Sequence, residues 1–155
     1  MYVMRSCLQV GSCVVLAFAL GCAPAPKKPP VANVAVIVAN DVNPDASGRP
    51  SPVIVRTYEL KSLAAFDAAH VYGLLERDKE VLGGDLLARD ELPLKPGERR
   101  EMKKTLQADT RYFGVTAAFR DVERSKWRAT TLLPAKELTQ VEIRLDRNDV
   151  SITAR

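Results

Sequence analysis

A two-sheet β-sandwich carrying one inserted α-helix is the fold class this sequence predicts. Three observations lead there: about seven or eight short stretches of β-branched or alternating apolar residues, turn signals at short intervals between them, and a single stretch with helical spacing, all within roughly 120 residues. A small barrel is the runner-up, because alternation fixes which faces are buried and not whether a sheet closes on itself. With 155 residues, 46% hydrophobic and 27% charged, the chain has the length and composition of one domain with one modest core. Its 23 basic and 19 acidic residues are scattered, without the basic block or aromatic ladder of a nucleic-acid groove, so no nucleic-acid partner is expected.

The first 21 residues stand apart. Arg5 is their only charge, and Leu8 to Leu20 is a mostly apolar stretch ending in small residues, which reads as a secretory signal. At 13 residues, diluted by Gln9, Gly11, Ser12 and Cys13, it falls short of the roughly 20 apolar residues that cross a bilayer; an uncleaved anchor is the weaker alternative. Cleavage after Gly21 removes Cys7 and Cys13 and leaves Cys22 alone, so no internal disulfide can form in the mature chain. A lone thiol in an oxidising compartment calls for a use, and acylation is one. Residues 23 to 30, "APAPKKPP", hold four prolines in eight positions, which favours an extended polyproline tether reaching roughly 25 Å. The β-sandwich domain is assigned to residues 31–155.

The domain opens on a strand, with Val31, Val34, Val36, Ile37 and Val38 running to Asn40 and Asp41. "NPDASGRPSP" is then a long turn, and "VIVRTYEL" a second strand with Val53, Val55 and Thr57 alternating against Ile54, Arg56 and Tyr58. Ser62 suits a helix cap, and Leu63, Phe66, His70 and Leu74 fall near one face of a helix over about residues 62–75. Gly83 and Gly84 break the chain. "ELPLKPGERREMKKTL" reads as two extended segments joined at Lys95, Pro96 and Gly97, the second charged enough to be an edge strand. "RYFGVTAAFRDV" is the clearest central strand, with Phe113, Val115, Ala117 and Phe119 on one face. Trp127, Ala129, Thr131 and Leu133 repeat the alternation, and "QVEIRLDRNDVSIT" is a terminal hairpin turning at Arg147, Asn148 and Asp149.

Chemistry-bearing patterns are sparse. His70 is the one histidine, which excludes a multi-histidine metal site, and with Cys22 in the tether no zinc cluster can be assembled. Neither a glycine-flanked serine elbow nor a phosphate-cradling glycine loop occurs. Asp85, Asp90 and Glu91 read as solvated charge, and "RREMKK" as a solvated strand for which contact with anionic lipid heads is the alternative. No catalytic residue, metal or cofactor is expected, apart from covalent lipid.

Taken in order, several pieces resemble the type VI secretion system outer-membrane lipoprotein family, TssJ (VasD/SciN). They are Ala19, Leu20, Gly21 and Cys22 as a lipobox; "SPVIVRTYEL", with Pro52, Val55, Arg56, Tyr58 and Leu60; a helix with Phe66 and Leu74; "LKPGE" from Leu94 to Glu98; "YFGVTAAFRD" from Tyr112 to Asp121; and Trp127 with Arg128. The resemblance implies a transthyretin-like β-sandwich with an added helix, and a protein that is not an enzyme. It implies lipidation, palmitate included, at Cys22, with Ala23 in place of an inner-membrane-retaining aspartate directing the protein to the outer membrane, its domain facing the periplasm. The implied partner is the periplasmic C-terminal region of a TssM-like inner-membrane protein, so that the two membranes are joined. In the family the loop between the first two strands takes part in that contact; here it is Val42 to Pro52, with Asn43, Asp45 and Arg49, and the neighbouring Arg56, as partner-binding candidates. Pairing within the sheet is the other reading of Arg56. A periplasmic lipoprotein of the same fold binding a small ligand or cell-wall glycan is the alternative function. Replacing Cys22 by serine is expected to abolish incorporation of labelled fatty acid and release the protein from membranes; persistent membrane retention would point to an uncleaved helix.

Overall fold

A computed structural model describes residues 29–155; the signal segment, Cys22 and the tether up to Lys28 lie outside the described residues. Eight strands form two four-stranded sheets. β1 (Val31–Val38), β4 (Arg99–Thr105), β7 (Leu138–Leu145) and β8 (Val150–Ala154) make the first, in the order β4-β1-β7-β8. β2 (Val53–Leu60), β3 (Leu86–Leu94), β5 (Tyr112–Ala117) and β6 (Arg128–Leu132) make the second, in the order β3-β2-β5-β6. Alternation explains the register: Ala32, Val34, Val36 and Val38 point inward from β1 and meet Val53, Val55, Phe113, Val115 and Ala117 from the facing sheet in one apolar core. Two sheets, rather than a closed barrel, is therefore the outcome. They touch at one seam, where an isolated bridge joins Lys126 to Asp149 and the Val150 amide donates to the Lys126 carbonyl at 2.9 Å.

β1 lies inside its sheet, antiparallel to β4 and parallel to β7. Its two ends consequently define two poles of the sandwich. The chain arrives at one, where the Pro30 carbonyl accepts the Leu106 amide at 2.8 Å, and leaves for the other after eight residues, roughly 23 Å away. The Lys95–Gly97 turn does join two extended segments, yet they are not a paired hairpin, since β3 and β4 belong to different sheets. Gly97 makes that crossing with φ +73°, a left-handed conformation that favours glycine, and a Cβ there would also displace the exposed Asn40 side chain, whose oxygen lies 2.4 Å from its position. β4 is an edge strand, as its charge predicts.

The expected single helix over 62–75 is instead three short ones: α1 (Ala64–Ala68), α2 (Val71–Glu76) and α3 (Asp78–Leu82). The breaks fall where arginines from the sheet capture helix-end carbonyls that would otherwise lack donors. Arg128 donates to the carbonyls of Phe66, Asp67 and Ala69 at 2.8–2.9 Å, and His70 follows in an extended conformation, its side chain exposed. Arg56 donates to the carbonyls of Leu74 and Leu75 at 3.2 and 2.6 Å. Phe66 and Leu74 are buried as their spacing predicts, in a second apolar cluster with Tyr58, Leu60 and Leu82. Ser62 Oγ accepts the Ala64 amide at 3.1 Å at the start of α1. This helical layer covers the outer face of the second sheet, so β5 and the second half of β2, from Thr57 to Leu60, are buried on both faces. Gly114 fits closely under it: a Cβ would lie 3.2 Å from Leu60 and from the Phe66 ring, so a larger residue would push both side chains outward by a few tenths of an ångström.

A polar network fastens α3 to the sheet. Asp78, 4% exposed, accepts from Arg89 at 2.8 Å and from the Tyr58 hydroxyl at 3.2 Å, while Arg56 sits 3.6 Å away and also pairs with Glu91 at 2.7 Å. Burial pushes the Tyr58 hydroxyl up to about 12. Burial alone would raise the Asp78 carboxyl too, but the Arg89 hydrogen bond and charge, the Lys79 amide and Arg56 outweigh it and hold it below its ordinary 3.8. A carboxyl so depressed contributes stability that is fully present above 3.8 and is lost as pH falls through the folded-state value. Asp78→Asn is expected to lower stability at neutral pH by about 1–3 kcal/mol. In urea unfolding from pH 7 to 2 the gap to the unsubstituted protein should close at the acid end; a gap constant across that range would contradict the assignment.

Candidate functional site

The pole away from the chain's arrival gathers four connections: residues 39–52, the Lys95–Glu98 turn, residues 118–127 and the turn at 146–149. Asn43 fastens three of them. Its amide donates to the Arg147 carbonyl at 2.8 Å, its Nδ2 to the Pro52 carbonyl at 2.7 Å, and its Oδ1 accepts the Arg120 amide at 2.8 Å. The residue is 3% exposed and adopts φ +49°, a conformation asparagine tolerates better than most side chains. Val42, fully buried beside it, carries the loop's apolar root into the core, and the Ser51 amide returns to the Val42 carbonyl at 3.1 Å.

Above that root the chain closes a tight turn on Asp45. Asp45 Oδ1 accepts the amides of Ser47 and Arg49 at 2.8 and 3.0 Å, and Oδ2 accepts Arg49 Nε at 2.8 Å. The Asp45 amide in turn donates to the Arg49 carbonyl at 2.8 Å, and Gly48 turns the corner at φ +78°. The Arg49 amide, helped by its guanidinium and the Ser47 amide and opposed by some desolvation, holds the Asp45 carboxyl below its ordinary range. Arg49 is the turn's outermost part, with 78% of its side chain exposed against 21% for Asp45.

Of the partner-binding candidates, Asn43, Asp45 and Arg49 come together here, in different roles: Asn43 shapes the loop from beneath, Asp45 closes the turn, and Arg49 presents charge outward. Arg56 is elsewhere, mid-strand under the helical layer, paired with Glu91 and the α2 carbonyls. Cys22 lies outside the described residues. Sequence reading passes over two further contributors. Arg147 and Asp41, 3.7 Å apart, meet at this pole through the β1–β7 pairing alone. Pro52, Pro93 and Pro96, with Leu94 and the Glu98–Arg100 pair, border an open depression of about 660 Å³ beside the loop. No spacing rule links those positions.

Chemically the pole is an open, rigid, polar surface with an apolar proline rim, suited to docking a protein. Among the described residues no group of three histidine, cysteine, aspartate or glutamate side chains could hold a metal ion. Replacing Asn43 by alanine removes two hydrogen bonds and leaves the Arg120 amide and the Pro52 carbonyl without their partner. The expected cost is about 1–3 kcal/mol, with faster amide exchange at Arg120 in native-state hydrogen exchange; protection unchanged at Arg120 would show that the three connections hold without it.

Comparison with known proteins is consistent with this geometry. Over 82% of its length the chain is 36% identical to the T6SS lipoprotein TssJ1 from Pseudomonas aeruginosa, with a TM-score of 0.77 over 97% of that chain. The Serratia marcescens Lip, a membrane-bound component of the type VI secretion system, matches at 25% identity and TM-score 0.74, over 82% of this chain and 98% of Lip. A chain in a structure of the T6SS protein TssM C-terminal domain (869–1107) from EAEC matches at 25% identity and TM-score 0.65, over 79% of this chain and 97% of that one. No protein of curated function matches it. The T6SS-SciN family model, described as type VI secretion lipoprotein (VasD, EvfM, TssJ), fits residues 30–148, nearly the whole described domain, and the chain belongs to that family.

Proposed function

We propose that this lipoprotein is anchored in the outer membrane through lipid, palmitate included, on Cys22 and binds the periplasmic C-terminal region of a TssM-like inner-membrane protein with its loop pole. The single observation that carries this reading is the opposition of the two ends of β1: the tether joins at one pole, and the preorganised Asn43–Asp45–Arg49 loop stands at the other. A domain held at one end and exposing a rigid recognition loop at the other is built to span, and in the periplasm it would link the two membranes. Family membership and the likeness to a chain in a TssM C-terminal-domain structure support the choice of partner. The protein works by binding rather than catalysis, and needs no cofactor beyond the lipid.

Rigidity is the physical basis of affinity here. With the turn already closed by Asp45 and the root fixed by Asn43, docking orders little new backbone, and the Arg49 guanidinium, held on its Nε side by Asp45, turns its outer edge toward a carboxylate on the partner. Arg49→Glu reverses the outward charge. In calorimetric titration of the Cys22→Ser chain with the partner's periplasmic region, Arg49→Glu is expected to weaken binding tenfold or more, and Lys136→Glu at the opposite pole to leave it unchanged. Equal affinity for Arg49→Glu and the unsubstituted loop would remove the loop from the interface.

A further inference from the structure

At the pole where the tether arrives, the surface changes character. Leu132, the last residue of β6, is 64% exposed, and Leu138, the first of β7, is 47% exposed. Between them Leu133, Pro134 and Ala135 border an open depression of about 650 Å³ that also touches Pro30 and Leu106. Two of the four exposed large hydrophobic side chains among the described residues stand at this end, bordering neighbouring depressions, and aliphatic surface left in solvent marks a place that meets something apolar. Basic groups rim it: Arg111, Lys136 and Lys103 are exposed, and Lys27 and Lys28 precede it in sequence, against Glu137 as the adjoining carboxylate. Among the described residues neither Arg111 nor Lys136 has a carboxylate within 4.0 Å.

The length of the tether identifies the occupant. From Cys22 to Pro29 is seven residues, at most about 25 Å fully extended. A lipid on Cys22 would therefore hold this pole within about 25 Å of the bilayer, with the loop pole a further strand-length along β1. We infer that the Leu132–Leu138 face rests on the phospholipid headgroups of the leaflet that carries the anchor, its leucines entering the interfacial layer and its basic rim meeting anionic phosphates. This rests on the anchoring proposed above. The face adds to the acyl chains what they lack, a fixed orientation: apolar insertion plus juxtamembrane basic charge turns a swivelling attachment into a seated one. Of the charged "RREMKK" run, only Lys103 takes part, because the Lys104 ammonium is turned inward to Glu59 at 2.8 Å.

The test uses the full lipidated protein in vesicles of phosphatidylethanolamine and phosphatidylglycerol, with a fluorophore on Ala135→Cys at the tether pole or on Ser47→Cys at the loop pole. Nitroxide-labelled lipids are expected to quench the Ala135→Cys label at least threefold more than the Ser47→Cys label. Adding Leu132→Asp and Leu138→Asp should bring that ratio near one while the protein still sediments with vesicles. Sedimentation with equal quenching at both labels overturns the seated orientation and leaves the anchor standing; failure to sediment overturns both. An Ala135→Cys label shielded from aqueous iodide yet untouched by nitroxide lipid also overturns it, and would mean that a protein surface, such as a second copy of this chain, covers the face instead.

Discussion

The pairing of β1 on both sides, antiparallel to β4 and parallel to β7, is the constraint on which the remaining architecture depends. Because β1 is interior to its sheet, its direction is fixed over eight residues, and whatever is attached before Val31 and after Val38 must emerge at opposite poles. Parallel pairing with β7 has a second consequence. It brings the end of β7, and so the Arg147 turn, to the same pole as the end of β1, where the Asn43 amide can reach it. A hairpin partner in that place would have delivered its turn elsewhere. The Val42–Pro52 loop owes its support to sheet topology more than to its own sequence.

Two kinds of buried charge hold the layers in register. On the outer side of the second sheet, Arg56 and Arg128 present guanidinium forks to helix-end carbonyls, a pairing of planar donors with orphan acceptors that ammonium groups would match poorly. Inside the sandwich, Glu59 on β2 is 1% exposed and accepts from Lys104 on β4 at 2.8 Å, from the Gln107 amide at 2.7 Å and from Thr110 at 2.9 Å. Burial alone would lower the Lys104 ammonium; the hydrogen bonds to Asp90 and Glu59 reverse that and raise it. An ion pair so satisfied contributes less net stability than its contact distance suggests, since both partners are desolvated. Removing Lys104 would leave the buried Glu59 carboxylate without its counter-charge, whereas Lys104 keeps Asp90 if Glu59 is removed. The pair's plainer effect is to define how β2 and β4, from different sheets, face each other.

Much of this fold was legible in the sequence, and for a physical reason. Alternation of period two marks the inward faces of β1, β5 and β7, and the turn residues after Val38 and Leu94 separate strands as their backbone preferences require. The helix was legible in its apolar face, through Phe66 and Leu74, and illegible in its continuity. What breaks it is Arg128, about 60 positions downstream, bonding carbonyls that a helix would have kept. The same limit applies at the loop pole. Proline and glycine content marks residues 42–52 as a rigid turn, and the exposure of Arg49 accords with its charge. That Asn43 binds its own loop to two other segments, and that Arg56 turns toward the helices, follows from long-range contacts no local pattern encodes.

The central position of β1 also has a mechanical meaning. Any tension applied between the amino-terminal attachment and the loop pole runs along the strand axis. The antiparallel ladder to β4 stands perpendicular to that axis and the parallel ladder to β7 slants across it, so both are loaded in shear, their bonds sharing the force rather than being peeled one by one from an end. An edge strand in a hairpin pulled from its open end would unzip. A sandwich threaded in this way resists being pulled apart along β1, its backbone ladders acting together with the apolar core in which the strand is packed.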